Sequence, residues 1–329
     1  MKYLILILNL VFVGSIQTGP TKTFYVSADV ETDPVLSKDD AADDPAIWIW
    51  GEKPNEGLLI GTNKKWGLEI YNLKGKRIAG YALGNINNAD ILSNENTYIL
   101  LAATNRTEQC IDIYRLNRKG ELSVLSHNQL PKEAEDIYGI CAYRDGQSKY
   151  VIASDKAGRI FKWAVKEDTT LELNQKIKFN STCEGLVADP AHNRLLVNEE
   201  DLGIWCMNLD DITQNQHLEL STDNNIRSDL EGISIYQTDR TNGYIVFSIQ
   251  GSNSFGLLDR VTLNYLGKFK ITREKGIDGV RETDGLDINS KSTQEYPKGI
   301  LVVQDGDNYP YNQNFKIISF EKIIKGLEQ

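Results

Sequence analysis

The chain has 329 residues, 40% of them hydrophobic, with a formal net charge of −10, four cysteines and three histidines. That length supports one large core or two ordinary ones, and the acidic balance argues against nucleic acid as a partner. The sequence contains no HExxH, GxSxG or Walker loop, so a Ser–His nucleophile or a catalytic His-bound zinc is not expected.

The N-terminus reads as an export signal. Lys2 is followed by the apolar run YLILILNLVFV (3–13) and then by the small residues Gly14 and Ser15. A buried strand or a membrane anchor is the alternative, but the run is about half of the roughly 20 residues a spanning helix needs. No cysteine follows it to carry a lipid. Residues 1–19 are therefore set apart from a single domain over 20–329, expected to be exported or periplasmic, monomeric and without a membrane span.

Beyond residue 20, short alternating or apolar runs dominate: TFYVSADV (23–30), LLIGTN (58–63), YILLAAT (98–104), YVIASD (150–155), RLLVNE (194–199), YIVFSI (244–249) and GILVVQD (299–305). Turn residues separate them, as expected of strands. Only the tail FEKIIKGLEQ (320–329) has a helical pattern. Cys110, Cys141, Cys183 and Cys206 show no CxxC spacing. They leave open three disulfide connectivities or, equally, buried free thiols.

An acidic or polar residue followed by a small turn residue and an apolar strand recurs at DDPAIWIW (43–50), NADIL (88–92), IYGICAY (137–143), CEGLVAD (183–189), LEGISIY (230–236) and TDGLDI (283–288). With anchors at Asp44, Asp90, Tyr138, Glu184, Glu231 and Asp284, the steps are 46, 48, 46, 47 and 53 residues. That period fits a four-stranded propeller blade, and six copies predict an all-β, six-bladed propeller with four-stranded antiparallel blades. The segment 23–30 has no blade of its own and is expected to join the final blade, closing the ring and removing an edge. A second phrase ends the next strand of each unit: GTNKK (61–65), ATNRT (103–107), ASDKAG (153–158), VNEED (197–201), SIQGSN (248–253) and VVQDGD (302–307).

Equivalent positions of successive blades lie around one axis, so both phrases should form rings at one mouth of the channel. The second phrase supplies Lys64, Lys65, Arg106 and Lys156 in its first three copies, then Glu199, Glu200, Gln250 and Asp305. The first phrase supplies Asp43, Asp44, Asn88, Asp90, Glu184, Asp229, Glu231 and Asp284, with Tyr138 as its aromatic member. So many carboxylates need neutralising, since two unit charges about 4 Å apart repel by about 4 kcal/mol at an effective dielectric of 20. Oxygen ligands without His or Cys select a hard cation, and irregular carboxylate-rich loops favour Ca²⁺, in several copies, over Mg²⁺. Basic residues beside such ions make a site for phosphate, held by point charges, a forked guanidinium and a phenol.

These residues resemble the β-propeller phytases, calcium-dependent enzymes that hydrolyse myo-inositol hexakisphosphate. The signature D-[AT]-A-D-D-P-A-[ILV]-W appears as DAADDPAIW (40–48), and NN-x-D as Asn87, Asn88, Ala89 and Asp90. The match continues through GTNKKWGL (61–68), EGLVAD (184–189), SDLEGISIY (228–236), ETDGLDI (282–288) and NQNFKIISFEKI (312–323). The resemblance implies that Lys64, Lys65, Arg106, Tyr138 and Lys156 contact phosphate, and that Lys64, Arg106, Tyr138, Lys156 and Glu184 form the catalytic set. It implies that Glu31, Asp43, Asp44, Asn88, Asp90, Glu184, Glu200, Asp229, Glu231, Gln250, Asp278, Asp284 and Asp305 bind calcium or its waters. It further implies attack by a calcium-bound water, with a cleavage site beside an affinity site for a neighbouring phosphate. Shorter surface loops and four cysteines, one directly before Glu184, depart from the family pattern. The competing readings are a non-catalytic exported calcium propeller and a calcium-dependent lactonase. Neither needs basic residues opposite the metal cluster.

Overall fold

The computed structural model describes residues 22–51, 56–220 and 229–329, and the expected signal segment lies outside them. Short β-rich runs satisfy their backbone by pairing with neighbours. Here consecutive runs pair as antiparallel meanders to give six separate sheets, the blades of a six-bladed propeller. The innermost strands of blades 1–6 are Ala42–Ile49, Ile86–Asn94, Ile137–Asp145, Cys183–Asp189, Leu230–Gln237 and Leu286–Asn289. Each touches the next, and the sixth returns to the first.

The N-terminal segment does more than the single closing strand expected of 23–30. Thr23–Val26 adds a parallel fifth strand to blade 5 beside Tyr265–Ile271, and only Val30–Glu31 pairs with Asn314–Ser319 to complete blade 6. The chain changes blade at Asp29. Its N–H donates to the Ile317 carbonyl (2.8 Å), and its carboxylate accepts from the Ser319 N–H (2.7 Å) and pairs with Lys322 (2.8 Å). The ring is thus clasped across two blades. The tail forms the expected helix, Phe320–Glu328. Phe320 stacks on Tyr236 of blade 5 at 3.7 Å, and Gly326 leaves room for the Phe24 ring, which would lie 2.2 Å from any Cβ there.

The core is divided into six apolar clusters, one at each blade–blade boundary. Fully buried Trp48, Tyr114, Phe161, Phe247 and Phe315 are among their largest members, each side chain contributing about 1.5–3 kcal/mol through burial. All four cysteines are free thiols, three of them buried and Cys206 half-buried.

Two local devices repeat from blade to blade and aim side chains at the axis. First, the innermost strands of blades 1–5 carry a bulge at the same place, between Ala42 and Pro45, Ile86 and Ala89, Ile137 and Ile140, Cys183 and Leu186, and Leu230 and Ile233. An extra residue at such a point re-aims the neighbouring side chain. Second, the end of each second strand reads as a triplet. Its first residue (Thr62, Thr104, Ser154, Asn198, Ser248, Gln304) stitches the inner strands. Thr104, Asn198 and Ser248 donate to the carbonyls of Tyr138, Glu231 and Asp284 in the next blade, while Thr62 and Ser154 accept from the Asp44 and Gly139 N–H groups.

In blades 3–5 the second bulge residue is glycine, as is the equivalent Gly285 of blade 6, because the next blade passes too close for a side chain. A Cβ on Gly185 would sit 2.0 Å from the Glu231 carbonyl oxygen. Since that obstacle is backbone, Gly185→Ala should cost at least about 1–3 kcal/mol of stability, read as a lower urea midpoint with an unchanged slope. An unaltered midpoint would contradict the close approach.

Candidate active site

The bulge and the triplet set the site's registration. Structural equivalence places Asp43, Asn87, Tyr138, Glu184, Glu231 and Asp284 on an inner ring, one per blade. The third triplet residues, Lys64, Arg106, Lys156, Glu200, Gln250 and Gly306, form an outer ring. Their N–H groups donate to Ala41, Asn85, Asp136, Thr182, Asp229 and Arg281, each two or three residues ahead of the inner-ring residue. Both rings are therefore held by backbone, and they surround a cavity of about 510 Å³ whose lining includes Lys64, Tyr138, Glu184, Glu231, Gln250 and Asp284.

The two sides differ in charge. Lys64 Nζ lies 2.8 Å from Asp40, 2.9 Å from Asp284 and 3.3 Å from Asp43. Burial works against its ammonium, but Asp43 and Asp284 outweigh that and raise its pKa. Arg106 is gripped by Asp136 through Nε (2.8 Å) and Nη2 (2.5 Å), donates from Nη1 to Asn87 (3.2 Å), and lies 5.8 Å from the Tyr138 ring. Lys156 Nζ stands 4.5 Å from the same ring. Burial, then the charges of Glu184, Asp43 and Glu231, push the Tyr138 phenol up, so it remains a neutral donor.

On the acidic side, oxygens of Glu184, Glu200 and Glu231 all lie within 4.8 Å of one another. Burial, then the neighbouring Glu231 charge, holds Glu184 well above the usual carboxylate range, and burial pushes Glu231 to about 7. Asp43 is also raised, first by burial. Both its oxygens, and Oε2 of Glu231, are buried and accept no hydrogen bond. Buried carboxylate oxygens with only Lys64 near Asp43 to offset their charge fit a hard divalent cation, and no nitrogen or sulfur ligand stands among them to favour a softer one.

Several of the residues singled out above stand elsewhere. Asp44 and Asp90 are the repeat anchors by spacing, but the register makes Asp43 and Asn87 the equivalents of Tyr138 and Glu184. Asp44 and Asn88 occupy the bulge position that is glycine in other blades. Asp44 accepts from the Ala89 N–H (3.2 Å), and Asp90 accepts from the Ala142 N–H (2.7 Å), each reaching into the next blade. Asp305 is not on a ring, because it is the middle residue of its triplet and the mouth position falls to Gly306. It is buried against Lys316 Nζ (2.8 Å), which also pairs with Asp278 and stands 4.0 Å from Glu31. Glu31, Asp278 and Asp305 thus share one buried lysine, apart from the rings. Lys65 turns outward to the Lys38 carbonyl (3.0 Å) and Asp39 (3.9 Å). Asp229 is exposed, beside Glu200.

Sequence reasoning missed Asn87 as a ring member, and it missed Asp40, Asp136 and Asp287. The acidic residue two places before Tyr138 was the available signal for Asp136. Asp287 stands where Asp90 stands in blade 2 and accepts from the Ile47 N–H (2.9 Å), so three carboxylates link blades 1–2, 2–3 and 6–1.

The raised carboxylates fix a pH response for metal-free protein. Glu231 moves from an ordinary 4.5 to about 7 and Asp287 from 3.8 to about 7. The folded state then binds more protons than the unfolded state, so stability is fully present below the ordinary values and lost as pH rises through about 7. For Glu231 the effect is on the order of 3 kcal/mol. In chelator, Glu231→Gln should therefore melt higher than the parent at pH 8 and converge with it at pH 5. A gap that is constant with pH would refute the assignment.

The family described as Phytase matches residues 2–329. A relative named 3-phytase, from Bacillus subtilis (strain 168), is 37% identical over 92% of this chain and 86% of its own. Among solved structures, the β-propeller domain of Myceliophteria thermophila Cps50 (Swd1) superposes with a TM-score of 0.51 at 13% identity, covering 84% of this chain and 83% of that one. This second likeness is one of fold alone. The rings, the cavity and the sequence match lead to one assignment: the chain belongs to the Phytase family and is a phosphoric monoester hydrolase.

Proposed function

We propose that the protein is a calcium-dependent phytase that removes phosphate from myo-inositol hexakisphosphate at the mouth formed by the two rings. One observation carries this reading: Asp43, Glu184, Glu231 and Asp284 crowd one ring while Lys64, Arg106 and Lys156 occupy the ring above it on blades 1–3. A carboxylate ring alone would repel a polyanion. Cations from the chain on one side and divalent ions on the other invert the local field. Calcium bound among the carboxylates would neutralise phosphate oxygens and supply a water oriented for in-line attack.

The chain's own residues do the rest. Asp136 pre-sets the plane of the Arg106 guanidinium, leaving N–H groups to meet phosphate oxygens without the entropy of ordering a free side chain. Tyr138, kept neutral, donates a hydrogen bond next to Lys156. Glu184 lies against Tyr138 and Glu231, so its carboxylate would help hold an ion at the mouth and accept a hydrogen bond from a water placed there. Lys64, held on the other flank by Asp40 and Asp284, serves the neighbouring phosphate. This gives one site for cleavage and one for affinity. The absence of basic residues opposite the metal cluster, which a lactonase or a structural calcium propeller would tolerate, is not what the rings contain.

The halves of the mouth should respond differently to calcium. Arg106→Ala should lose about ten- to a hundredfold in kcat/KM on phytate, the equivalent of about 1.5–3 kcal/mol for one charge-assisted contact, at every calcium concentration. Asp284→Ala should shift the calcium requirement upward and recover part of its activity in excess calcium. Calcium rescue of the arginine variant but not the aspartate variant would overturn the division of roles.

A further inference from the structure

In blades 1–4 and 6 the middle residue of the triplet, or its partner two places into the third strand, places a buried carboxylate in a polar latch at the end of the blade. Most of these carboxylates face a permanent cation. Glu69 of blade 1 meets Arg77 (2.8 Å), Asp155 of blade 3 meets Arg159 (2.9 Å) and Asp305 of blade 6 meets Lys316 (2.8 Å). Among the described residues Glu199 of blade 4 has no cation, but it takes neutral donors from the backbone of Asn180 and Ser181 and from Trp205. None of these neutral donors is a metal ligand.

Blade 2 is different. Its carboxylate, Asp112, is fully buried in the strand Cys110–Asn117, and among the described residues no Lys or Arg pairs with it. Oδ2 accepts from Asn105 Nδ2 (2.9 Å) and Tyr114 OH (2.6 Å). Oδ1 meets Cys110 Sγ (3.1 Å) and His127 Nδ1 (2.6 Å). His127 lies directly across from Asp112 on the neighbouring strand Leu122–Gln129, and Cys110 is two residues along the same strand, so all three come from a rigid pair of strands. The nitrogen and sulfur lie 2.6 and 3.1 Å from the same Asp112 oxygen, and all three ligand atoms lie within 4.8 Å of one another, so only a small parting would bring them to the roughly 3.3–3.8 Å separations that tetrahedral zinc bonds of about 2.0–2.3 Å impose. Cys110 is buried while His127 is half exposed, which gives an ion a path from solvent.

We propose that Cys110, Asp112 and His127 form a second metal site on blade 2, separate from the mouth, that takes a borderline-soft divalent ion of the zinc class. Charge supports the choice. The thiol gives its proton to solvent as the ion binds, and thiolate, carboxylate and a dication sum to zero in a buried setting. A thiolate and an imidazole disfavour the hard cations suited to the mouth, so the two sites would not compete for the same metal.

The test titrates Co²⁺, as a spectroscopic stand-in for zinc, into the full chain saturated with calcium. The expected result is one equivalent bound, with a thiolate-to-cobalt charge-transfer band that one equivalent of Zn²⁺ abolishes. Cys110→Ser should remove the band and His127→Ala should weaken affinity more than tenfold, while Cys206→Ser should leave both unchanged. His127 is exposed, so its variant serves if Cys110→Ser fails to fold. No charge-transfer band, a band that survives Cys110→Ser, or one lost in Cys206→Ser would overturn the proposal and leave Asp112 as a hydrogen-bonded latch only.

Discussion

Crowding Asp43, Glu184, Glu231 and Asp284 into one desolvated ring costs free energy that the chain offsets only in part. Lys64 lies against Asp43 and Asp284, but the Glu184–Glu231 side has no cation of its own within the inner ring. Without added positive charge it responds by raising its proton affinity. This repulsion is what divalent ions would relieve in the proposed function. It also explains why the cations of the outer ring stand over blades 1–3, where the inner ring carries Asn87 and Tyr138 in place of two further carboxylates.

The fold tolerates such a ring because its positions are imposed by backbone. The bulge turns one residue per blade toward the axis, the glycine beside it lets the next blade close in, and the N–H of each outer-ring residue is tied to the loop ahead of the inner strand. Stability comes from the apolar boundaries between blades and from the two-blade clasp of the N-terminal segment. Removing an inner-ring charge should therefore leave the architecture intact, and the site can be strained electrostatically without loosening the scaffold.

The six-fold repeat was legible because each blade must bury its strands in the same order, which fixes a period near 47 residues. What the spacing could not supply was registration within the repeat. A bulge adds a residue that no alternation pattern reveals, and with Asp43 and Asp44 both acidic the sequence offered nothing to choose between them. In blade 2 the only acidic residue of the phrase, Asp90, belongs to a deeper position, and the ring residue is the amide Asn87. Asp305 is ambiguous for the same reason: the middle triplet position is also acidic in blades 3 and 4, as Asp155 and Glu199. Partners 30 and 38 residues apart, such as Asp136 for Arg106 and Lys316 for Asp278, come together only through the packing of the folded blades. By contrast, Lys64, Arg106, Tyr138, Lys156, Glu184, Glu231 and Asp284 stand at the mouth as the sequence implied.

If the acidic half of the mouth becomes a phosphate site only when divalent ions fill it, as proposed, the two ligands are thermodynamically linked. Calorimetric titration with a non-hydrolysable polyanion, myo-inositol hexakissulfate, tests this directly. In chelator the heats should be those of dilution. With saturating calcium the analogue should bind, and the same factor should reappear as tighter calcium binding when the analogue is added first. Equal affinity for the analogue with and without calcium would contradict the account.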